Sequence, residues 1–214
     1  MKIKKIVNNR SPKLLLCFAG WSAAPEAFAH LETEDDQDVW VCYDYRDLSF
    51  GEDPGGYRQI DLVAWSLGVW VAAQAVTGIP LHSATAVNGT ELPVDDAFGI
   101  PSDIFLGTLR NVTADGMSRF NRRMCDSREL LEMYRQFPAR PVNELQEELQ
   151  SLYNGITQSR SPEMHWTKAI ISTRDKIFPV NNQRSYWQGR CPAGETDAPH
   201  YPFYLWKRWK EITG

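Results

Sequence analysis

The sequence is poor in the features that are typical of secreted, membrane-spanning and nucleic-acid-binding proteins. It has four cysteines in 214 residues, and no two of them form a Cys-x-x-Cys pair. The formal net charge is −4 and the pI is near 5.6, which argues against non-specific binding to nucleic acid. No apolar run approaches the length of a membrane span, and the N-terminal segment lacks the apolar centre of a signal peptide. We therefore expect a cytoplasmic protein with reduced thiols, no metal site, no cofactor, and neither nucleic acid nor membrane as a partner.

Length and composition indicate one globular domain, or one domain with an insertion. Hydrophobic residues make up 43% of the chain and charged residues 23%, which is enough to build a sizeable core. Candidate strands are the runs 2–7, 14–19, 39–43, 60–65, 84–88 and 169–173, with a weaker one near Arg190. Continuous apolar strands suit a sheet that is covered on both faces, and helical stretches lie between them. The pattern predicts an α/β fold with a mostly parallel sheet.

The most informative segment is 60–68, IDLVAWSLG, where an apolar run ends abruptly at Ser66. This pattern is typical of a nucleophile elbow, a sharp strand-to-helix turn with an exposed serine hydroxyl at its apex. Gly68 supplies the small residue that the turn needs, and Ala64 stands where glycine is usual. An ordinary strand–turn–helix connection with a capping serine is the alternative interpretation.

A candidate acid follows the later strand, because Asp175 closes the stretch 168–175, KAIISTRD. A carboxylate at the carboxyl end of a late parallel strand can reach an imidazole. Asp95 and Asp96 are rival acids, since they follow the strand near 84–88. Alternatively, Asp175 pairs with a neighbouring basic residue or caps a helix.

The candidate base is His200, in a polar loop that leads into a predicted C-terminal helix. It is the one histidine of four that follows both Ser66 and Asp175 and also lies in such a loop. The resulting order of serine, acid and histidine is that of the α/β-hydrolases.

Two backbone amides are candidates for an oxyanion hole. One is the N–H of Leu67, the residue after the serine. The other is the N–H of Trp21, in the loop that follows the strand within 13–22. A glycine turn at Gly20 beside a core tryptophan is the alternative interpretation of that loop.

The region 101–162 contains no convincing strand and predicts a helical insertion between the two parts of the core, 1–100 and 163–214. The stretches 115–137 and 143–153 have helical periodicity. The insertion is also locally basic, with Arg110, Arg119, Arg122, Arg123, Arg128, Arg135 and Arg140. These arginines form either ordinary solvated helix faces or a basic surface that meets an acidic partner.

Several segments together resemble one known family. They are AGW at 19–21, AWSLGV at 64–69, AVNGTELPVDDAFGIPSDIF at 86–105 and RFNRRMC at 119–125. They resemble the BioG-type pimeloyl-[acyl-carrier protein] methyl ester esterases, an α/β-hydrolase family of biotin-precursor synthesis, over nearly the whole chain.

The resemblance implies a serine esterase. Its nucleophile falls on Ser66, its acid on Asp175, its base on His200 and its oxyanion donors on Trp21 and Leu67. The family's helical lid corresponds to the insertion. The implied substrate is a methyl ester at the far end of a seven-carbon diacid that is held on an acyl-carrier protein.

Residues for holding such a substrate can be named in the insertion. Because the carrier presents an acidic helix, Arg119, Arg122 and Arg123 are the candidate docking residues. A tunnel for the methylene chain is predicted from Trp21, Trp65, Met117, Phe120 and Leu131, which are alternatively plain core residues.

Two other interpretations of the sequence remain open. One is a broad carboxylesterase or thioesterase with the same three residues, and the other is a non-enzymatic binding protein on a hydrolase scaffold. The sequence carries no indication of an oligomeric state.

Overall fold

A seven-stranded sheet forms the centre of the computed structural model, which describes residues 1–159 and 164–214. The strands are β1 (Lys2–Val7), β2 (Lys13–Phe18), β3 (Gln37–Tyr43), β4 (Gln59–Trp65), β5 (Ser83–Val87), β6 (Lys168–Ser172) and β7 (Ala193–Thr196). Their order across the sheet is β1-β3-β2-β4-β5-β6-β7. All neighbouring pairs are parallel except β1 with β3. The predicted α/β class with a mostly parallel sheet is therefore confirmed.

The central strands are apolar and buried, as expected of a sheet covered on both faces. The edges differ from that expectation. Strand β1 carries exposed lysines, which is a common way to keep an edge strand from pairing with another chain. The last strand lies a few residues beyond the predicted position near Arg190, and its side chains are largely exposed.

The helices are α1 (Gly68–Ala75), α2 (Ser102–Arg110), α3 (Ala114–Cys125), α4 (Arg128–Tyr134), α5 (Val142–Gln158), α6 (Val180–Trp187) and α7 (Lys210–Thr213). In the described part of the chain, no helix is both long and apolar enough to cross a bilayer. The prediction that helical stretches lie between the strands is wrong for the first half, because only a short 3-10 turn at Pro25–Phe28 precedes β3 and a loop precedes β4. The segment 44–58 contains three Asp, three Gly and one Pro, which favour turns over helix.

Four helices, α2 to α5, lie between β5 and β6 in the chain. The stretch 115–137 forms two helices rather than one, because Asp126 adopts a left-handed conformation with φ of 59° and ends α3. Ser127 then begins α4, accepting a hydrogen bond from the Leu130 amide. The predicted boundary between insertion and core at 162/163 lies outside the described residues.

Candidate active site

Ser66 lies in a sharp turn between β4 and α1, with a positive φ of 58°. Such a conformation is costly for a residue other than glycine and is the backbone geometry of a nucleophile elbow. The Ser66 amide donates to the Val87 carbonyl at 2.9 Å, which ties the turn to β5. A Cβ at Gly68 would lie 2.5 Å from the carbonyl oxygens of Phe18 and Ala19, so the turn requires glycine there.

Small residues also let two other loops approach the serine. A Cβ at Gly20 would lie 3.1 Å from the Ser66 Cβ, and one at Gly89 would lie 2.3 Å from the Ser66 carbonyl oxygen. Ala64, where glycine is usual, is fully buried and is paired in register with Ala86 of β5. The elbow thus forms with an alanine at this position.

Ser66, His200 and Asp175 are joined by hydrogen bonds. The His200 Nε2 lies 2.9 Å from the Ser66 Oγ, and the His200 Nδ1 lies 2.8 Å from the Asp175 Oδ2. The three residues are 6%, 1% and 8% exposed, respectively. The imidazole stacks on the Phe178 ring, with centroids 6.2 Å apart and planes at 8°. A serine, an imidazole and a buried carboxylate in this sequence of contacts can perform nucleophilic acyl transfer.

The Asp175 carboxylate is held from several directions. Its Oδ1 accepts hydrogen bonds from the backbone amides of Ile177 and Phe178 at 2.8 and 2.9 Å. Its Oδ2 accepts a hydrogen bond from the Gln183 Nε2 at 3.1 Å and also contacts the His200 Nδ1. Gln183 is fully buried in α6, and no pattern in the sequence identified it, because its role depends on a contact made only in the folded chain.

The rival acids have other roles. Asp95 accepts hydrogen bonds from the Ala97 and Phe98 amides, and Asp96 accepts one from the Ser102 amide at 2.9 Å. Both carboxylates therefore stabilise the turns that lead into α2. The basic neighbours of Asp175 likewise pair elsewhere, with Asp126 and Asp197.

The two candidate oxyanion donors lie beside the serine. Trp21 and Leu67 line the same cavity as Ser66 and His200. The Trp21 indole donates to the Leu145 carbonyl of α5 at 2.9 Å, so the side chain anchors the helical insertion while the backbone stays near the serine.

Two cavities with shared wall residues lie at and beside the site. The inner one has a volume of about 30 Å³, and its apolar wall includes Trp21, Trp65, Ile100, Phe105, Phe120, Met124 and Leu149. The outer one is a groove of about 600 Å³ between α2 and α3. They share Trp21, Ile104, Thr108, Phe120 and Arg123. Of the predicted tunnel residues, Met117 lines the groove, and Leu131 belongs to neither wall.

Arg119, Arg122 and Arg123 are exposed and line the outer groove. Their spacing of three and four residues places them on one side of α3. Within residues 1–159 and 164–214, no carboxylate lies within ion-pair distance of any of the three. Asp126, which could have neutralised them, pairs with Arg174 and Lys176 instead.

Arg140 has a different environment from the other arginines of the insertion. Its guanidinium donates a hydrogen bond to the fully buried Glu148 at 2.6 Å and forms an ion pair with the buried Asp44 at 3.0 Å. Burial raises the pKa of the Glu148 carboxyl, although the positive charge of Arg140 acts in the opposite direction. At Asp44, burial also favours a raised pKa, but hydrogen bonds from Arg46 and Lys2 outweigh it and hold the pKa well below its usual range. Arg140 therefore belongs to the attachment of the insertion rather than to a basic surface.

Comparison with known proteins identifies close relatives. A family model described as "Pimeloyl-ACP methyl esterase BioG" matches residues 1–212. An uncharacterized protein of Haemophilus influenzae is 46% identical over 209 residues, which cover 97% of each chain. A malonyl-[acyl-carrier protein] O-methyltransferase of Bacteroides fragilis is 40% identical over 192 residues, which are 87% of this chain and 39% of that longer protein.

Solved structures agree with the sequence relatives. The crystal structure of BioG from Haemophilus influenzae has a TM-score of 0.97 at 46% identity and covers 100% of both chains. The esterase EaEST from Exiguobacterium antarcticum has a TM-score of 0.65 at 11% identity, covering 92% of this chain and 87% of that one. Naproxen esterase from Bacillus subtilis has a TM-score of 0.61 at 12% identity, covering 99% and 87%. At such low identity the last two show the fold alone, which is the expected α/β-hydrolase fold.

Proposed function

The chain belongs to the BioG family and is an esterase of the α/β-hydrolase fold, and from this premise we propose that it hydrolyses the methyl ester of pimeloyl-[acyl-carrier protein]. The observation that carries the proposal is the hydrogen-bonded chain from the Ser66 Oγ through His200 to Asp175, at 2.9 and 2.8 Å. This chain of contacts lies beside a groove lined by Arg119, Arg122 and Arg123 of α3, none of which pairs with a carboxylate in the described ranges 1–159 and 164–214.

The first half of the reaction forms an acyl-enzyme. The His200 Nε2 takes the hydroxyl proton as the Ser66 Oγ attacks the carbonyl carbon of the methyl ester. Asp175 holds the imidazole in the tautomer that leaves Nε2 free to accept the proton, and it stabilises the imidazolium that forms. The backbone amides from Ile177 and Phe178 keep the carboxylate oriented for this purpose.

The negative charge on the tetrahedral oxygen requires donors that are already in place. We assign these donors to the backbone N–H groups of Leu67 and Trp21. An oxyanion donor of this kind contributes roughly 3 kcal/mol to the transition state. The indole bond from Trp21 to α5 supports the assignment, because it fixes the loop that carries the amide.

Collapse of the tetrahedral intermediate completes each half of the reaction, formation of the acyl-enzyme and its hydrolysis. The imidazolium of His200 returns its proton to the methoxy oxygen, and methanol leaves. Water then attacks the acyl group on Ser66, again giving a proton to His200, and the serine is released with its proton restored. The products are methanol and a terminal carboxylate that is still attached to the carrier through its thioester.

The helices α2 to α5 act as a lid over this site. The inner cavity of about 30 Å³ has room for one or two water molecules and does not by itself hold a seven-carbon chain. The apolar wall suits the methylene groups. The larger outer groove suits the arm that joins the acyl chain to the carrier. Arg119, Arg122 and Arg123 at its margin attract and orient the acidic carrier.

The experiment compares two substrates with one enzyme. Carrier-linked pimeloyl methyl ester and a free dimethyl ester of the same diacid are incubated with the protein and with Ser66→Ala. Mass spectrometry of the carrier should show loss of one methylene unit, which is the change from methyl ester to acid. Loss of the entire acyl group would indicate a thioesterase, and equal kcat/KM for both substrates would indicate a broad carboxylesterase.

A further inference from the structure

The backbone carbonyl of His200 accepts two side-chain hydrogen bonds. The Trp65 Nε1 and the Asn88 Nδ2 each donate to it at 2.9 Å. All three residues are almost completely buried. His200 lies in an irregular loop rather than in a helix or strand, so the position of its main chain depends on contacts of this kind.

The Asn88 amide has only one orientation that satisfies its surroundings. Its Oδ1 accepts from the Ser172 backbone amide at 2.7 Å, while its Nδ2 also donates to the Ser172 Oγ at 2.8 Å. A flipped amide would place NH₂ against the Ser172 N–H and oxygen against the His200 carbonyl. Asn88 has a positive φ of 48°, a conformation that asparagine tolerates better than most residues. This side chain therefore joins the ends of β5 and β6 to the histidine loop.

The Trp65 indole links the histidine to the serine. Trp65 is the last residue of β4 and immediately precedes Ser66. Its ring lies 5.4 Å from the imidazole and packs edge-to-face against Phe28 and Phe203. Because one strand end carries both the nucleophile and the indole, any movement of the His200 carbonyl relative to that strand changes the Nε2 to Oγ distance.

We propose that Trp65 and Asn88 are positioning residues that clamp the His200 carbonyl and thereby hold the imidazole within reach of Ser66. The proposal rests on the proposed function of the Ser66–His200–Asp175 chain. Neither residue reacts with substrate through its clamping group. Their contribution is to fix the loop, and a displacement of about 1 Å at a catalytic group is enough to cost on the order of a hundredfold in rate.

The test uses Trp65→Phe, which keeps an aromatic ring but removes the N–H, and Asn88→Asp, which keeps the left-handed backbone but removes the donor. Each should lower kcat for a p-nitrophenyl ester about tenfold, and both together about a hundredfold, because the imidazole is displaced. KM should stay within about twofold for Asn88→Asp, because Asn88 does not line the inner cavity. Trp65 does line it, so kcat is the deciding quantity for Trp65→Phe. The rate of Ser66 labelling by a fluorophosphonate should fall in parallel with kcat.

Thr167→Val is the matched control. The Thr167 Oγ1 also ties β5 to β6, accepting from the Ala84 amide at 3.0 Å and donating to the Ala84 carbonyl at 2.9 Å, at the opposite end of these strands from the site. It should lower thermal stability without changing the labelling rate. Melting curves of all variants establish the folded fraction to which rates are referred. Asn88→Gly replaces Asn88→Asp if the latter does not fold.

The outcomes separate the two proposals. If wild-type protein is labelled at Ser66 but the clamp variants react within about twofold of its rate, the clamp is wrong and the proposed function stands. A KM increase with unchanged kcat would also contradict the clamp, because it would assign Trp65 and Asn88 to substrate binding. If wild-type protein is labelled at another residue or not at all, the proposed function itself is wrong.

Discussion

The residues proposed for the chemistry and those proposed for carrier binding come from two different parts of the molecule. Ser66, Asp175 and His200 follow strands of the central sheet and are almost completely buried. Arg119 and Arg122 lie on α3 of the helical insertion and are exposed. Under the proposed function, a small ester needs only the first part, whereas a carrier-linked ester needs both. The difference implies that turnover and carrier recognition can be altered separately.

The insertion itself contains two contrasting groups of arginines. Arg140 lies at its base, where Glu148 and Asp44 neutralise a side chain that is only 9% exposed. Arg119 and Arg122 face the outer groove, and no carboxylate among residues 1–159 and 164–214 pairs with them. The two groups share only their residue type. Arg140 pairs with Asp44 just after β3, whereas Arg119 and Arg122 lie exposed at the outer groove.

The largest effect should come from the strand-end site. We expect Ser66→Ala to lower kcat about 10⁶-fold for both small and carrier-linked esters, because the other two residues act through the nucleophile. The midpoint of urea unfolding should be nearly unchanged. Steady-state kinetics and circular dichroism check both expectations. Retention of more than about a tenth of the activity would mean that another residue is the nucleophile.

Asp175→Asn should have the next largest effect. It should lower kcat on the order of 10⁴-fold, because the amide favours the wrong tautomer of His200. Asp95→Asn is the matched control, since that carboxylate only caps a turn before α2. Kinetics with a p-nitrophenyl ester distinguish the two. The opposite ranking of the variants would place the acid after β5 rather than after β6.

At the base of the insertion, Arg140→Met should destabilise the fold without touching the reacting groups. Removing one partner of a buried ion pair leaves an uncompensated charge and costs about 3–5 kcal/mol. Arg128→Met is the control, because the Arg128–Glu132 pair is exposed and such pairs contribute roughly 0.3–0.5 kcal/mol. Urea unfolding at neutral pH measures both free energies. Equal losses for the two variants would mean that the buried network does not attach the insertion.

Much of the fold and the proximity of the three central residues could be predicted from local patterns. The elbow is recognisable as a short motif around Ser66, although the carbonyl oxygens that exclude a Cβ at Gly68 belong to Phe18 and Ala19 at the end of β2. Chain order then placed Asp175 and His200 after later strands, and parallel strands end at the same edge of a sheet. The apolar central strands have a strong pattern because both of their faces are covered.

The remaining features depend on contacts between residues that are distant in sequence. Asn88 lies 112 positions from the His200 carbonyl to which it donates, and neither segment carries a pattern that indicates the bond. The sequence places Arg140 with the other arginines of the insertion, as a solvated helix face or a basic surface, because its partner Asp44 is far away in the chain. The periodicity of apolar residues continues across Asp126, so the sequence predicts one helix where the structure has two.

The smallest effect should come from the outer arginines, and it should be confined to one substrate. Arg119→Glu with Arg122→Glu should raise KM for carrier-linked pimeloyl methyl ester on the order of tenfold and weaken the salt dependence of kcat/KM, because charges at a surface mainly steer and orient a partner. Turnover of a p-nitrophenyl ester should barely change.

Arg123 is left intact, because it also lines the inner cavity and could affect both substrates. Arg128→Glu with Arg135→Glu matches the change in net charge on exposed positions outside both the inner cavity and the outer groove. If that control raised KM equally, the carrier would be responding to overall charge. If both substrates lost turnover together, α3 would serve the fold of the lid and not the docking of a carrier.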